Sequence, residues 1–67
     1  MTVIRLNGTE LQFADGSTLA DVVASLTAAH TGVAVALDEA VVPRSSWDTT
    51  PVHAGARVEV LTAVQGG

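Results

Sequence analysis

The sequence predicts an α+β domain in which a mixed sheet of four to five strands packs on one helix. Three observations carry that prediction: an Asn-Gly pair between two alternating runs, a helical apolar stripe behind a capping signature, and strand-like runs in the second half. Thr2 to Leu6 and Thr9 to Phe13 flank Asn7-Gly8, the dipeptide that best tolerates the two positive φ values of a type I′ turn, so they form a hairpin. Alternation places Ile4, Leu6, Leu11 and Phe13 on a buried face and Arg5, Glu10 and Gln12 in water. After Ala14-Asp15-Gly16-Ser17, Thr18 with Asp21 three residues on resembles a capping box, and Leu19, Val22, Val23 and Leu26 recur at helical spacing. This helix covers the hairpin. It is expected to stop near His30, because Thr31 continues a helix poorly and Gly32 suits the left-handed residue past a helix end.

Val33 to Leu37 is an uninterrupted apolar run, which predicts a central strand buried on both faces. Val41-Val42 has room only for a minor strand before Pro43, and the polar stretch from Pro43 to Pro51 reads mostly as loop. His53-Ala54-Gly55-Ala56 signals a turn, and Arg57 to Val64 reads as a last strand with Val58 and Val60 on one face. Gln65, Gly66 and Gly67 follow. The order of strand, strand, helix, strand, short strand, strand is that of a ubiquitin-like β-grasp domain over residues 1–64, with a flexible tail at 65–67.

Sixty-seven residues allow one compact domain and no separate catalytic module. With no cysteine, neither a disulfide nor a thiolate-bound metal can support it, so packing holds the fold alone. The hydrophobic fraction of 48% and a mean hydropathy of +0.41 lie far from the disordered regime. Three basic against seven acidic residues disfavour phosphate backbones and anionic lipid, so nucleic acid is not expected as a partner. Met1-Thr2-Val3-Ile4-Arg5 lacks the features of a signal peptide, and no apolar run approaches the roughly 20 residues that span a bilayer. The chain reads as cytoplasmic, with no membrane partner. It has no lysine, and so no side-chain amine on which an isopeptide-linked polymer would grow.

Conventional catalytic equipment is missing. There is no nucleophilic cysteine, and His30 and His53 have no clustered carboxylate or third ligand in sequence, so no metal site is expected. His30 reads as an exposed imidazole near a helix C-terminus and His53 as a loop residue. Asp38-Glu39 reads as a solvated turn, since adjacent turn carboxylates diverge and do not form an acid–base dyad. Gly8, Gly16, Gly32 and Gly55 fall in separate turns and never form a phosphate-cradling loop, so no cofactor or nucleotide is expected to bind the chain by itself.

What remains is Gly66-Gly67, directly after a strand. The pair suits any flexible end, and on its own it leaves a frayed terminus and a working tail equally open. The working reading has a mechanism. A main-chain carboxylate is ionised at neutral pH and becomes an electrophile only when its oxygen joins a good leaving group, as in an acyl-adenylate. Threading it into another enzyme's ATP site calls for a narrow lead without β-carbons, which two glycines supply.

A β-grasp pattern ending in Gly-Gly, with Val41-Val42-Pro43-Arg44-Ser45-Ser46-Trp47 before the last strand, resembles the ThiS family of thiamine-biosynthesis sulfur carriers over essentially the whole chain. The most discriminating piece is Val-Pro-Arg with a Trp three residues after the Arg. The resemblance implies a carrier, not an enzyme. A ThiF-type adenylyltransferase would activate the Gly67 carboxylate, and sulfur from a persulfide donor enzyme would displace AMP. The resulting Gly67 thiocarboxylate would pass its sulfur to the thiazole synthase ThiG, while the partners supply ATP and Mg²⁺. The small subunit of molybdopterin synthase, a ubiquitin-like protein modifier and a passive interaction module remain alternatives. Trp47 is expected to anchor its loop against the core. Arg44 is open to two readings, an ion pair with Asp48 four positions on or a charge presented to a partner, and is given no catalytic role. Leu61 and Ala63, on the outward side of the last strand beside the tail, are the candidates for partner docking.

Overall fold

The computed structural model describes residues 1–27 and 32–62. β1 (Thr2–Leu6) and β2 (Thr9–Phe13) form the expected hairpin, with Leu6 opposite Thr9 across a two-residue turn. Asn7 and Gly8 take φ of 49° and 84°, the left-handed pair that a type I′ turn requires. Ile4 and Leu6 are buried, but Leu11 is exposed and Phe13 only half-buried, because β2 is an edge strand that the helix does not reach across fully.

The helix α1 (Leu19–Leu26) begins on the capping box. Thr18 accepts from the Asp21 amide at 3.4 Å and donates its own amide to the Asp21 carboxylate at 2.9 Å. Leu19, Val22 and Val23 are buried, whereas Leu26 is about half exposed at 48%. α1 also ends earlier than the sequence suggested: Thr27 is already extended, with φ −152° and ψ 147°. His30 and Thr31 lie outside the described residues.

β3 (Val33–Leu37), β4 (Ala40–Val42) and β5 (Arg57–Thr62) complete a five-stranded sheet in the order β2-β1-β5-β3-β4. β1 and β5 pair in parallel and all other neighbours antiparallel, so the sheet is mixed. Two expectations fail here. The central strand is β5 rather than Val33–Leu37, and β3 buries one face only: Val35 is sealed while Ala34 is exposed. A single helix covers a single face, and the alanines of β3 are small rather than buried. The stretch from Pro43 to Pro51 is likewise not mostly loop but holds a 3-10 helix, Arg44–Thr49. Pro43 fixes φ at −64° and accepts the Ser46 amide at 2.9 Å, starting the turn.

The core joins Ile4, Leu6, Leu19, Val22, Val23, Val35, Trp47, Val52, Ala56, Val58 and Val60 into one cluster. Trp47 sits 7% exposed beneath the 3-10 helix, and its indole nitrogen donates to the Val42 carbonyl at 2.9 Å. It anchors the segment, as expected of a Trp whose polar tip must find a partner. The described part of β5 ends at Thr62, so Ala63 and Val64 fall outside it.

Candidate functional site

β5 is the element that positions the site. Its Val58 and Val60 point into the core at 1% and 4% exposure, so Arg57, Glu59 and Leu61 stand on the open face of the sheet. Leu61 is 71% exposed and faces Ala34 of β3 in register. Beside them lies a shallow hollow of about 450 Å³ lined by Gly32, Val33, Ala34, Leu61 and Thr62. An apolar spot thus occupies the end of the central strand from which residues 63–67 continue. Of the expected site residues, Leu61 is placed on the surface as anticipated, while Ala63, Gly66 and Gly67 lie outside the described residues.

Asn7 holds this strand in place, a role the turn signal did not reveal. β1 ends at Leu6, yet the Asn7 amide donates to the Val58 carbonyl at 2.9 Å. Its side chain then accepts the Val60 amide at 2.8 Å and donates to the Val60 carbonyl at 3.2 Å. One carboxamide therefore extends the parallel ladder by one further step, with the donor and acceptor geometry of a peptide group.

At the opposite end of β5, Asp38 and His53 meet, which sequence spacing could not show. Asp38 accepts the Arg57 amide at 2.9 Å through Oδ1 and lies 2.6 Å from His53 Nε2 through Oδ2. His53 Nδ1 is 2.9 Å from the Ala54 carbonyl. Both ring nitrogens thus face acceptors, an arrangement that only the doubly protonated imidazolium satisfies. The Arg57 amide, and then His53, hold the Asp38 carboxyl below its ordinary range, while Asp38 and the Ala54 carbonyl raise His53 above its own. Asp15 is also lowered, by the Thr2 hydroxyl and the N-terminal ammonium. Asp38 and Glu39 do form a turn and not a dyad; Asp38 is spent on structure. Arg44 is exposed and forms no ion pair among the described residues, so of its two readings the pairing with Asp48 is not made. The described residues hold no group of three or more metal-ligating side chains. No helix among them is long and apolar enough to cross a membrane.

Comparison with known proteins places this geometry. The model of the ThiS family matches residues 2–67. The chain belongs to the ThiS family. Among solved structures, it is similar to a crystal structure of a thiamine biosynthesis protein (ThiS) from Geobacter metallireducens, with 28% identity and a TM-score of 0.78 over 98% of this chain and 100% of that one. An NMR solution structure of a thiamine biosynthesis protein from Geobacter metallireducens matches at 28% identity and TM-score 0.80, covering 98% of this chain and 88% of that one. No curated protein gives a significant match. The mixed five-stranded sheet with one helix is the ubiquitin-like β-grasp of these ThiS neighbours. Together, family and neighbours support a small sulfur carrier of thiamine biosynthesis that works with partner enzymes.

Proposed function

We propose that this ThiS-family chain carries sulfur for thiazole formation on the carboxylate of Gly67, and that residues 1–64 serve as a docking body for the tail at 65–67. The observation that carries this reading is a family match running through residue 67, with Gly66-Gly67 following the central strand of the sheet. In the first step a ThiF-type adenylyltransferase joins the Gly67 carboxylate to AMP and releases pyrophosphate from ATP. A persulfide of the sulfur-donor enzyme then attacks the acyl carbon and expels AMP. A thiol reduces the resulting acyl disulfide, leaving the Gly67 thiocarboxylate and a protein disulfide. Thiazole synthase of the ThiG type takes the sulfur onto its substrate, and an oxygen from that substrate or from water replaces it at the acyl carbon and restores the carboxylate. The chain is co-substrate, not enzyme, and ATP and Mg²⁺ belong to its partners. The cycle is cytoplasmic, where thiols remain reduced. Leu61 and Ala63 provide the apolar hold that keeps a partner on the body while the tail reaches its site.

Deletion of Gly66 and Gly67 tests the reading. Neither residue has a side chain to bury, so thermal unfolding should change by at most about 0.5 kcal/mol. Thiocarboxylate formation, read by intact mass as exchange of one oxygen for sulfur in a reconstituted charging reaction, should vanish. The truncated chain ends at Gln65, short by two residues or roughly 7 Å at full extension. Charging of the truncated protein at the intact rate would exclude Gly67 as the working group.

A further inference from the structure

Two of the three basic side chains in this acidic chain stand next to each other. Arg5 of β1 and Arg57 of β5 are Cα partners in the parallel pair, and both are exposed on the sheet face that α1 leaves open. Like charges side by side on neighbouring strands, whose backbones run about 5 Å apart, destabilise a sheet. Relief comes only from the outside. Arg5 Nη2 lies 3.6 Å from Glu10 of β2, and Arg57 Nη2 lies 3.5 Å from Glu39 in the β3–β4 turn. Both are long pairs between side chains more than half exposed, with relative exposures from 55% to 74%, so each is weak. Across the sheet the row reads acid, arginine, arginine, acid. A hollow of about 450 Å³ opens at its middle, with Arg5, Asn7, Arg57 and Glu59 among its walls.

We propose that this arginine pair is a second, polar half of the docking face and receives one Asp or Glu carboxylate from the activating enzyme. The proposal rests on the carrier reading above. A carboxylate between two guanidinium groups cancels their repulsion and takes up N–H donors that the long outer pairs leave free. Among the described residues Glu10, Glu39 and Asp38 compensate the pair from its outer sides, and no carboxylate bridges both guanidinium groups. A single negative charge fits better than a dianionic phosphate, because Glu10, Glu39 and Glu59 already surround the pair. Position supports the same conclusion. Arg57, Glu59 and Leu61 follow one another on one face of β5, so the arginines and the apolar spot at Leu61 lie about 13 Å apart along one strand. A partner bridging both grips the strand that leads to the tail. Glu59 between them makes the pattern directional, since a partner displaced by one pleat would set its carboxylate against Glu59. Within a chain of net charge −4, long-range attraction of an acidic patch is ruled out, and the pair acts at short range to set register.

The test is steady-state charging of the full chain by a reconstituted ThiF-type enzyme with ATP and a persulfide donor. The joint variant Arg5→Glu with Arg57→Glu should raise KM for the carrier about tenfold or more with little change in kcat, the pattern of a lost binding contact. Arg44→Glu, the same charge change on the 3-10 helix, should leave KM unaltered. The Gln versions of Arg5 and Arg57 keep much of the stem and remove the repulsion, so they should unfold no earlier than the wild type while still raising KM. An Asp or Glu to Lys change on the enzyme should restore binding of the Glu pair variant. Equal KM for the Arg5/Arg57 and Arg44 variants overturns the proposal, as does a fall in kcat at constant KM. Failure of the wild-type chain to be charged at all overturns the carrier reading itself, and this proposal with it.

Discussion

Asn7-Gly8 and Asp38-Glu39 each close a two-residue hairpin, with Leu6 opposite Thr9 in one and Leu37 opposite Ala40 in the other. All four turn residues have positive φ: 49° and 84° in the first turn, 49° and 73° in the second. The first turn uses the residue types that reach this geometry cheaply, and its left-handed glycine meets nothing within 4 Å of a notional β-carbon. The second places a glutamate at φ 73°, where a side chain costs about 1 kcal/mol or more. What holds the second turn comes from far along the chain. Asp38 donates its amide to the Arg57 carbonyl at 2.8 Å and accepts the Arg57 amide at 2.9 Å, while His53 closes on its other oxygen. One turn is set by its own residues, the other by tertiary contacts that outweigh local preference.

Replacing Asn7 should therefore have the largest effect, since that residue serves both local geometry and a distant strand. Asn7→Ala loses left-handed tolerance and two hydrogen bonds to Val60, so chemical denaturation should show about 2–3 kcal/mol of lost stability. A loss as small as that of an exposed turn residue would mean the Val60 contacts contribute nothing. Asp38→Ala should also destabilise, by less, because the side-chain bonds of Asp38 are exposed and water can replace them, whereas those of Asn7 to Val60 are part-buried. Glu39→Gly should go the other way. It relieves the strain at φ 73° and gives up only a long, exposed ion pair with Arg57, so a gain of about 0.5–1 kcal/mol is expected. Destabilisation by glycine there would show that the second turn is not strained.

The same contrast marks what the sequence could disclose. Asn7-Gly8, the Thr18–Asp21 capping box, the buried Leu19, Val22 and Val23, and the alternation of β5 were legible because each is a local pattern. Strand position within the sheet was not. Val33 to Leu37 looked central because it is apolar throughout, but Ala34 and Ala36 are merely small, whereas β5 alternates polar and apolar and still occupies the middle. Periodicity reports how many faces of a strand are covered, and here one helix covers one face. The 3-10 helix at Arg44–Thr49 was hidden because its hydrogen bonds use serine and threonine donors and the Pro43 carbonyl, residues that equally suit a loop. At the candidate site, Leu61 could be placed from the alternation, but Asn7's grip on Val60 and the Asp38–His53 contact span 53 and 15 residues of sequence and exist only once the sheet is assembled.

The smallest expected effect concerns the second turn alone and depends on pH. His53 is raised above its ordinary value of 6.5, chiefly by Asp38. A raised value means the folded state holds the proton more tightly than the unfolded one, so this contribution is complete below about pH 6.5 and is lost as pH rises through the folded value. Asp38 is lowered below 3.8, chiefly by the Arg57 amide, so its contribution is present above that value and is lost as pH falls through the folded one. The contact is therefore strongest at mildly acidic pH, between the two ordinary values. Thermal unfolding should show a higher midpoint near pH 5.5 than near pH 8, with the first turn indifferent to the change. His53→Gln removes the titrating ring and should flatten this part of the profile. Asp38→Asn keeps an acceptor for the Arg57 amide and tolerance of positive φ, but removes the charge; in that variant, NMR titration should return His53 towards 6.5. A midpoint that falls between pH 8 and pH 5.5 in the wild type, or a His53 titration unmoved by Asp38→Asn, would show that the imidazolium does not hold the second turn. Its support would then reduce to the two bonds with Arg57, from the Asp38 amide to the Arg57 carbonyl and from the Arg57 amide to the Asp38 carboxylate.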